Sequence, residues 1–345
     1  MEKINLRNDY CAIAHNEILE ALIKHSDNSY VGYGYDEETA TAVDLIKKEI
    51  NNPNAGVFFL PGGTLTNKVL ISHVLKPYEA VISCETGHIN VHETGTIEQS
   101  GHKILVAPSI EGKIKANDIE KICLSHGDEH MVKPKMVYIS NPTELGTIYK
   151  KDELIEISNV CKKYDLYLYV DGARLATALT SKINDLDFET FSSLVDSFYI
   201  GGTKNGLILG EALVVNNEKL IVEIKYSIKH FGGMYCKGFV NGIQFKTLFK
   251  DQLFYRIGKL QNDLAEYLYN ELLSIGIDFL YKQETNQIFP VLSNEVIKKL
   301  SEKLSFEMWE KGKEQSVIRF VTHYKLTKED INNVVNIIKE AINGL

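Results

Sequence analysis

The sequence predicts an α/β fold. A mostly parallel sheet covered by helices on both faces is joined to a smaller α+β part at its C-terminal end. Three observations predict this. Between residues 57 and 200, short apolar runs alternate with helical stretches of about ten or more residues, the rhythm of parallel strands joined by crossover helices. After about Asn241 that rhythm stops, and a long helical pattern, two short strands and a closing helix follow. The chain has 345 residues and 44% hydrophobic content, enough for one large core and a second, smaller one.

The elements follow in order. Ile18, Leu19, Leu22 and Ile23 share one face of an expected helix over 15–25. A loop rich in tyrosine and glycine, Ser29 to Tyr35, leads to a second helix over 38–51. Strands are expected at 57–60, 80–83, 103–106, 136–140, 166–170 and 197–200, with helices at 64–75, 117–124 and 152–164 between them. Beyond them, 244–273 reads as one nearly unbroken helix and the expected hinge. Strands at 288–291 and 317–321 flank a helix at 294–304, and a last helix covers 328–342 with Thr327 as its N-cap. The expected division is a large domain over 1–250, with an N-terminal arm over 1–14, and a small domain over 251–345.

Composition excludes several classes. The net charge of -8 and pI of about 5.7 disfavour nucleic acid and anionic membranes as partners. No run approaches the roughly 20 apolar residues of a membrane span, and the first ten residues lack the apolar core of a secretory signal. Five widely spaced cysteines without a CxxC pair indicate free thiols in a reducing compartment, so the cytoplasm is expected.

The chemistry lies at strand ends. The run 166–170 delivers Asp171-Gly172-Ala173-Arg174, and the run 197–200 delivers Gly201-Gly202-Thr203-Lys204-Asn205-Gly206. A lysine among glycines near an acid suits an aldehyde cofactor with a pyridine ring. The lysine forms a Schiff base with it, and the acid keeps the ring nitrogen protonated. The sequence is therefore read as that of an enzyme dependent on pyridoxal phosphate (PLP). Asp171 also suits a helix N-cap, and Lys204 taken alone suits a surface turn. Arg174 either neutralises the cofactor's phenolic oxygen or pairs with Asp171. Gly62-Gly63-Thr64 opens a helix after a strand, an anion site made of backbone amides and one hydroxyl, and Thr203 offers another hydroxyl. His88 can stack on the pyridine ring. His88 and His92 have zinc-pair spacing, but no HExxH and no third ligand accompany them, so no metal is expected. Arg319, flanked by apolar residues, calls for a partner, either a substrate α-carboxylate or a structural acid. A nicotinamide-dependent dehydrogenase lacks its glycine fingerprint here. A binding module without turnover fits poorly with Lys204, Asp171 and Arg319 all present.

Together these residues resemble the β-eliminating lyase/threonine aldolase family of PLP enzymes, of aspartate aminotransferase-like fold, and within it the low-specificity L-threonine aldolase branch. The likeness runs in order through Arg7-Asn8-Asp9, Tyr33-Gly34, Pro61 to Asn67, His88, Asn141-Pro142-Thr143, Val170 to Arg174, the Lys204 segment, Gly232-Gly233-Met234, Arg319 and Val321-Thr322-His323. The resemblance implies a fold type I large domain with a mostly parallel seven-stranded sheet. It implies Lys204 as the Schiff-base lysine, Asp171 at the ring nitrogen and Arg174 near the phenolic oxygen. Gly63 and Thr64 would sit on the phosphate, His88 on the ring and Arg319 on the substrate carboxylate. It also implies a homotetramer of dimers with shared sites, where Tyr33 and Gly232-Gly233 reach a neighbour. Two departures stand out. Asn8 replaces a family serine placed at the substrate carboxylate. The loop Ser140 to Gly146 lacks the histidine that family members carry beside the substrate β-hydroxyl, leaving Thr143, Glu144, His88 or a water to act there. The expected reaction is cleavage of Cα–Cβ in a β-hydroxy-α-amino acid, threonine or allo-threonine, to glycine and an aldehyde. The alternatives are β-elimination, racemisation or transamination of another amino acid.

Overall fold

The computed structural model describes residues 3–344. Met1 and Glu2 of the expected N-terminal arm, and Leu345 of the expected small domain, lie outside the described residues. Seven strands build the main sheet: β1 (Gly56–Leu60), β2 (Glu79–Cys84), β3 (Lys103–Ala107), β4 (Lys133–Ser140), β5 (Tyr167–Asp171), β6 (Ser197–Gly201) and β7 (Glu211–Val215). Their order is β1-β7-β6-β5-β4-β2-β3. Only β7 runs against its neighbours, pairing antiparallel with both β1 and β6. It is the one sheet strand the sequence reading did not assign. It returns from β6 through a glycine turn, with Gly206 at φ 92° and Gly210 at φ 126°, so no crossover helix announces it.

Alternation sorts the strands onto two apolar cores. Ile82, Val137, Val170, Phe198 and Val214 point to one face, and Val81, Tyr138, Tyr169, Tyr199 and Leu213 to the other. All are buried, as expected of a sheet covered on both sides. The covering helices differ from their expected bounds by a residue or two at their ends.

Two expectations about the C-terminal part are corrected. The stretch 244–273 is not one helix. Helices Phe239–Phe249 and Leu253–Ser274 are separated by Lys250–Gln252, where Asp251 and Gln252 adopt positive φ of 52° and 60°. The break lets Phe249 and Phe254 stack at 5.1 Å and sends the two helices to different layers. The first packs on helix Glu37–Glu49, the second on helices Leu175–Leu179 and Lys328–Asn343. The apolar spacing runs straight through the break, so periodicity does not reveal it. The strand expected at 288–291 is also split, into β8 (Gln287–Ile288) and β9 (Val291–Ser293), because Pro290 between them has no N–H for a ladder. A further strand, β10 (Glu307–Glu310), pairs with β11 (Gln315–Val321) across a bulge. The thread from Ile4 to Leu6 lies on this part rather than on the large sheet. Ile4 and Asn5 pair with Leu304 and Ser305, and Leu6 is buried among Leu268, Leu300 and Phe320.

Candidate active site

The carboxyl ends of β1, β2, β4, β5 and β6 converge, and each carries a singled-out residue. This is the edge of an open α/β sheet where ligands bind. Asp171 closes β5. Its Oδ2 accepts from the Tyr138 hydroxyl at 2.6 Å and from Asn67 Nδ2 at 3.3 Å, and its Oδ1 from the Ala173 N–H at 3.0 Å. Burial would raise its pKa, but the nearby His88 charge and the Tyr138 and Tyr199 hydroxyls outweigh burial and hold it below the usual carboxylate value. Asp171 therefore stays an anion inside the protein.

Lys204 lies one strand over, in the turn after β6. That turn packs closely: a Cβ on Gly201 would meet the Ala173 carbonyl oxygen at 2.0 Å, so only glycine fits. The Lys204 carbonyl accepts from Gln261 Nε2 at 3.2 Å, and its Nζ hangs 6.0 Å from the centre of the Tyr10 ring. Burial and the neighbouring Arg174 charge lower its pKa, which favours the free amine that a nucleophile needs. Beside it, burial pushes the Glu211 carboxyl up to about 7, although Glu211 accepts the Gly202 N–H at 2.8 Å.

Arg174 does not pair with Asp171. Its guanidinium grips Asp9 through two bonds, Nε to Oδ2 at 2.6 Å and Nη2 to Oδ1 at 3.0 Å. Asp171 is already filled by its own donors, whereas Asp9 arrives from the N-terminal thread with two free oxygens. Asn286 Nδ2 adds a third bond to Asp9 at 3.0 Å.

His88 opens a short helix, His88–Val91. Its Nδ1 meets Glu93 Oε1 at 2.8 Å, and its backbone N–H donates to Glu144 Oε1 at 2.9 Å. Burial would lower its pKa, but the Glu93 bond and the Asp171 charge raise it. Helix Gly63–Val74 starts without a side-chain cap, and space is open around Gly62. A Cβ on Gly63 would approach the Tyr199 hydroxyl to 2.8 Å, which ties this helix start to the Asp171 cluster.

A cavity of about 630 Å³ opens beside this cluster, and Asp171, Gly62, Gly63 and Thr64 do not line it. Lys204, His88, His92, Glu144, Arg174 and Arg319 line it, with Tyr10, Val91, Met308 and Trp309 as its apolar wall. Arg319, on β11, lies 5.3 Å from the centre of the Trp309 ring. Its Nη1 reaches Gln287 Oε1 at 3.4 Å, and its Nε is buried without a partner among the described residues. Burial and the charge of Arg174 lower its pKa. No carboxylate pairs with it among the described residues, so the structural ion pair is not made. Its strand neighbour Glu307 is taken by Arg7 at 2.9 Å.

Other singled-out residues also lie off this cavity. The Asn8 side chain accepts the Tyr10 N–H at 3.2 Å and does not line the cavity. Tyr33 lines a separate hollow of about 450 Å³ with Lys225 and Gly233. The Thr203 hydroxyl accepts the Gly210 N–H at 3.1 Å and bonds Glu211, so the turn itself uses it. Sequence reasoning gave no role to Asp9, Asn67, Tyr138, Glu93, Glu211 or Trp309. Asp9 and Asn67 carried a signal, as members of the runs Arg7-Asn8-Asp9 and Pro61 to Asn67.

The residues present fit PLP. An uncapped helix start faces open space, a buried carboxylate is kept charged, and an amine sits over an aromatic ring rather than in an ion pair. Fold and site define a PLP-dependent lyase of fold type I. The chain belongs to the beta-eliminating lyase family, whose sequence model matches residues 5–295. It is similar to the low specificity L-threonine aldolase of a Pseudomonas species, with 32% identity over 83% of this chain and 84% of that one. Among solved structures it resembles Leishmania major threonine aldolase, with 40% identity, a TM-score of 0.97, and 98% and 99% of the two chains covered. Serine palmitoyltransferase of Sphingomonas wittichii shares the fold at 14% identity and a TM-score of 0.77, over 100% of this chain and 88% of that one.

Proposed function

We propose that this protein cleaves Cα–Cβ of β-hydroxy-α-amino acids, converting L-threonine or L-allo-threonine to glycine and acetaldehyde. The observation that carries this reading is the unpaired Arg319 guanidinium facing the same cavity as Lys204. A cation left buried without a counter-charge costs stability unless a ligand supplies one, and an amino-acid carboxylate fits a guanidinium through two parallel bonds. When bound, the cofactor supplies a sink for the electron pair released at the substrate's Cα. The protein's own groups do the rest. Lys204 would offer the amine that holds the cofactor and then, once protonated, the acid that returns a proton to Cα. Asp171 keeps a negative charge for the ring nitrogen. His88, steadied by Glu93, would hold the ring, Arg174, braced by Asp9, would balance the phenolic oxygen, and the amides at Gly63 and Thr64 would hold the phosphate. Arg319 fixes the carboxylate, and so decides which bond at Cα stands aligned for cleavage.

The comparisons support this substrate class, because the relatives named above are threonine aldolases. Incubation of the purified protein with each threonine isomer, assaying acetaldehyde and glycine together, tests it. Equal amounts of both products support it. 2-Oxobutyrate and ammonia instead would establish β-elimination, the reading that the histidine-free loop Ser140 to Gly146 favours.

A second copy of this chain is proposed to close the Tyr33 hollow, where Tyr33 and Tyr35 are exposed beside Lys225 and Gly233. In that assembly, a homotetramer built of dimers, Tyr33 and Gly233 serve a neighbour's site. The division into two domains near residue 250 is kept as a proposal, supported by the helix break at Lys250–Gln252. The five free cysteines support a cytoplasmic setting.

A further inference from the structure

Breaking Cα–Cβ beside a hydroxyl requires a base, because the hydroxyl proton must leave as the C=O bond forms. Most ionisable groups on the cavity are committed to other partners. Arg174 is held by Asp9, Glu307 by Arg7, and Glu85 by Ser109 at 3.0 Å. Glu144 spends one oxygen on the Ser140 hydroxyl at 2.7 Å and on the His88 N–H, and its other oxygen, without a partner among the described residues, is buried. Thr143 is buried, bonds the Thr147 hydroxyl at 2.7 Å and does not line the cavity. The Nδ1 of His88 is tied to Glu93.

His92 is different. It sits one helical turn after His88, with ring centres 5.5 Å apart, and its ring lines the cavity that Lys204 and Arg319 share. Its backbone N–H caps the turn by donating to the His88 carbonyl at 2.9 Å, which anchors the residue and leaves the imidazole to face the cavity. His92 is exposed overall, but the partial burial it has lowers its pKa, and the positive charges of His88, Arg319 and Lys204 lower it further. Near neutral pH the ring is thus unprotonated and keeps a lone pair.

We infer that His92 is a catalytic residue, the base that removes the substrate's β-hydroxyl proton. The inference rests on the retro-aldol reading above. The proton passes to the imidazole, and the O–H electron pair becomes the second bond of the aldehyde carbonyl. The Cα–Cβ pair would remain with Cα, where the cofactor would supply the electron sink, until Cα takes up a proton. The imidazolium returns its proton to solvent or to the active site. Products are glycine and an aldehyde, with no oxidant or reductant required.

The test uses the holoenzyme and the variants His92→Ala and His92→Phe. Three quantities are read: acetaldehyde release from L-threonine, exchange of the glycine α-proton in D2O, and the response of His92→Ala to added imidazole. Glycine has no β-hydroxyl, so its exchange reports cofactor, Lys204 and Arg319 without His92. The expected result is a loss in kcat for cleavage of about 100-fold or more, exchange within a few-fold of wild type, and partial rescue of His92→Ala, but not of His92→Phe, by imidazole. Cleavage within a few-fold of wild type overturns the inference. So does a parallel loss of exchange, or a loss that imidazole leaves unchanged, since each assigns His92 a structural role. A wild-type enzyme that exchanges glycine but releases no acetaldehyde sinks the retro-aldol reading itself.

Discussion

The two walls of the cavity are built on opposite plans. Behind the large-sheet wall, Asp171 has donors on both oxygens, and in the wall itself Arg174 is clamped by Asp9 before any ligand arrives. On the opposite wall, Arg319 leans on Trp309 and Gln287 with its Nε unpaired. The first wall is complete in itself and can hold one resident group in one orientation. The second is unsatisfied until a carboxylate enters. Rigidity is spent where the cofactor stays, and unmet bonding capacity is kept where the substrate comes and goes.

The contrast is broken most severely by Lys204→Ala. Turnover is expected to fall by about 10⁴-fold or more, and the absorbance band of the covalently bound cofactor is expected to vanish. A band unchanged in the variant would move the attachment point to another residue.

Asp9→Asn attacks the complete wall. It leaves the Arg174 charge buried with a neutral partner, and a broken buried pair costs about 3–5 kcal/mol, read from urea unfolding. The same variant changes the acid response. Asp9 has a folded pKa below its ordinary 3.8, so its contribution is fully present above that value and is lost as pH falls through the lower folded value. Wild-type stability should therefore drop as pH falls below about 4, and the drop should be shallower in Asp9→Asn.

Arg319→Ala attacks the open wall. Bonds from a charged donor contribute about 1.5–3 kcal/mol, so kcat/KM should fall about 10- to 100-fold, with KM rising and kcat falling as the carboxylate loses its alignment. Cofactor absorbance should be unchanged and stability unharmed, because no internal carboxylate loses a partner. A clear loss of stability would show Arg319 to be structural instead.

The smallest effect is a control on the second wall. The Thr327 hydroxyl caps helix Lys328–Asn343 by accepting the Asp330 N–H at 3.1 Å, while Asp330 returns a bond to the Thr327 N–H at 2.8 Å. Thr327→Ala should cost about 1 kcal/mol in unfolding and leave KM for threonine unaltered.

Much of this arrangement is legible in the chain. Continuous apolar runs mark six of the seven sheet strands, and the Thr327 cap was visible as a threonine three residues before Asp330. Lys204 and Asp171 were legible because each follows a buried strand with glycines at its end. Less legible were elements whose reasons are not local. Strand β7 is no shorter than β1, β3, β5 or β6, but it returns from β6 through a glycine turn with no crossover helix to announce it. The break at Lys250–Gln252 contains neither proline nor glycine, and stacking of Phe249 on Phe254 accompanies it. Strand β10 is an edge with a glutamate at each end, and it carries Trp309 to the cavity.

What the chain specifies alone is the set of strands and helices, together with the acid, the lysine and the glycines placed at strand ends. Periodicity of 2 or 3.6 residues and turn chemistry act within a few neighbouring residues, so any window of sequence displays them. Which groups meet is another matter. Arg174 finds Asp9 at a separation of 165 residues, Asn67 finds Asp171 across 104, and His92 comes to face Arg319 only when the second part closes over the sheet edge. Such partnerships follow from how buried charges are satisfied once the cores have packed, and no local pattern encodes that solution.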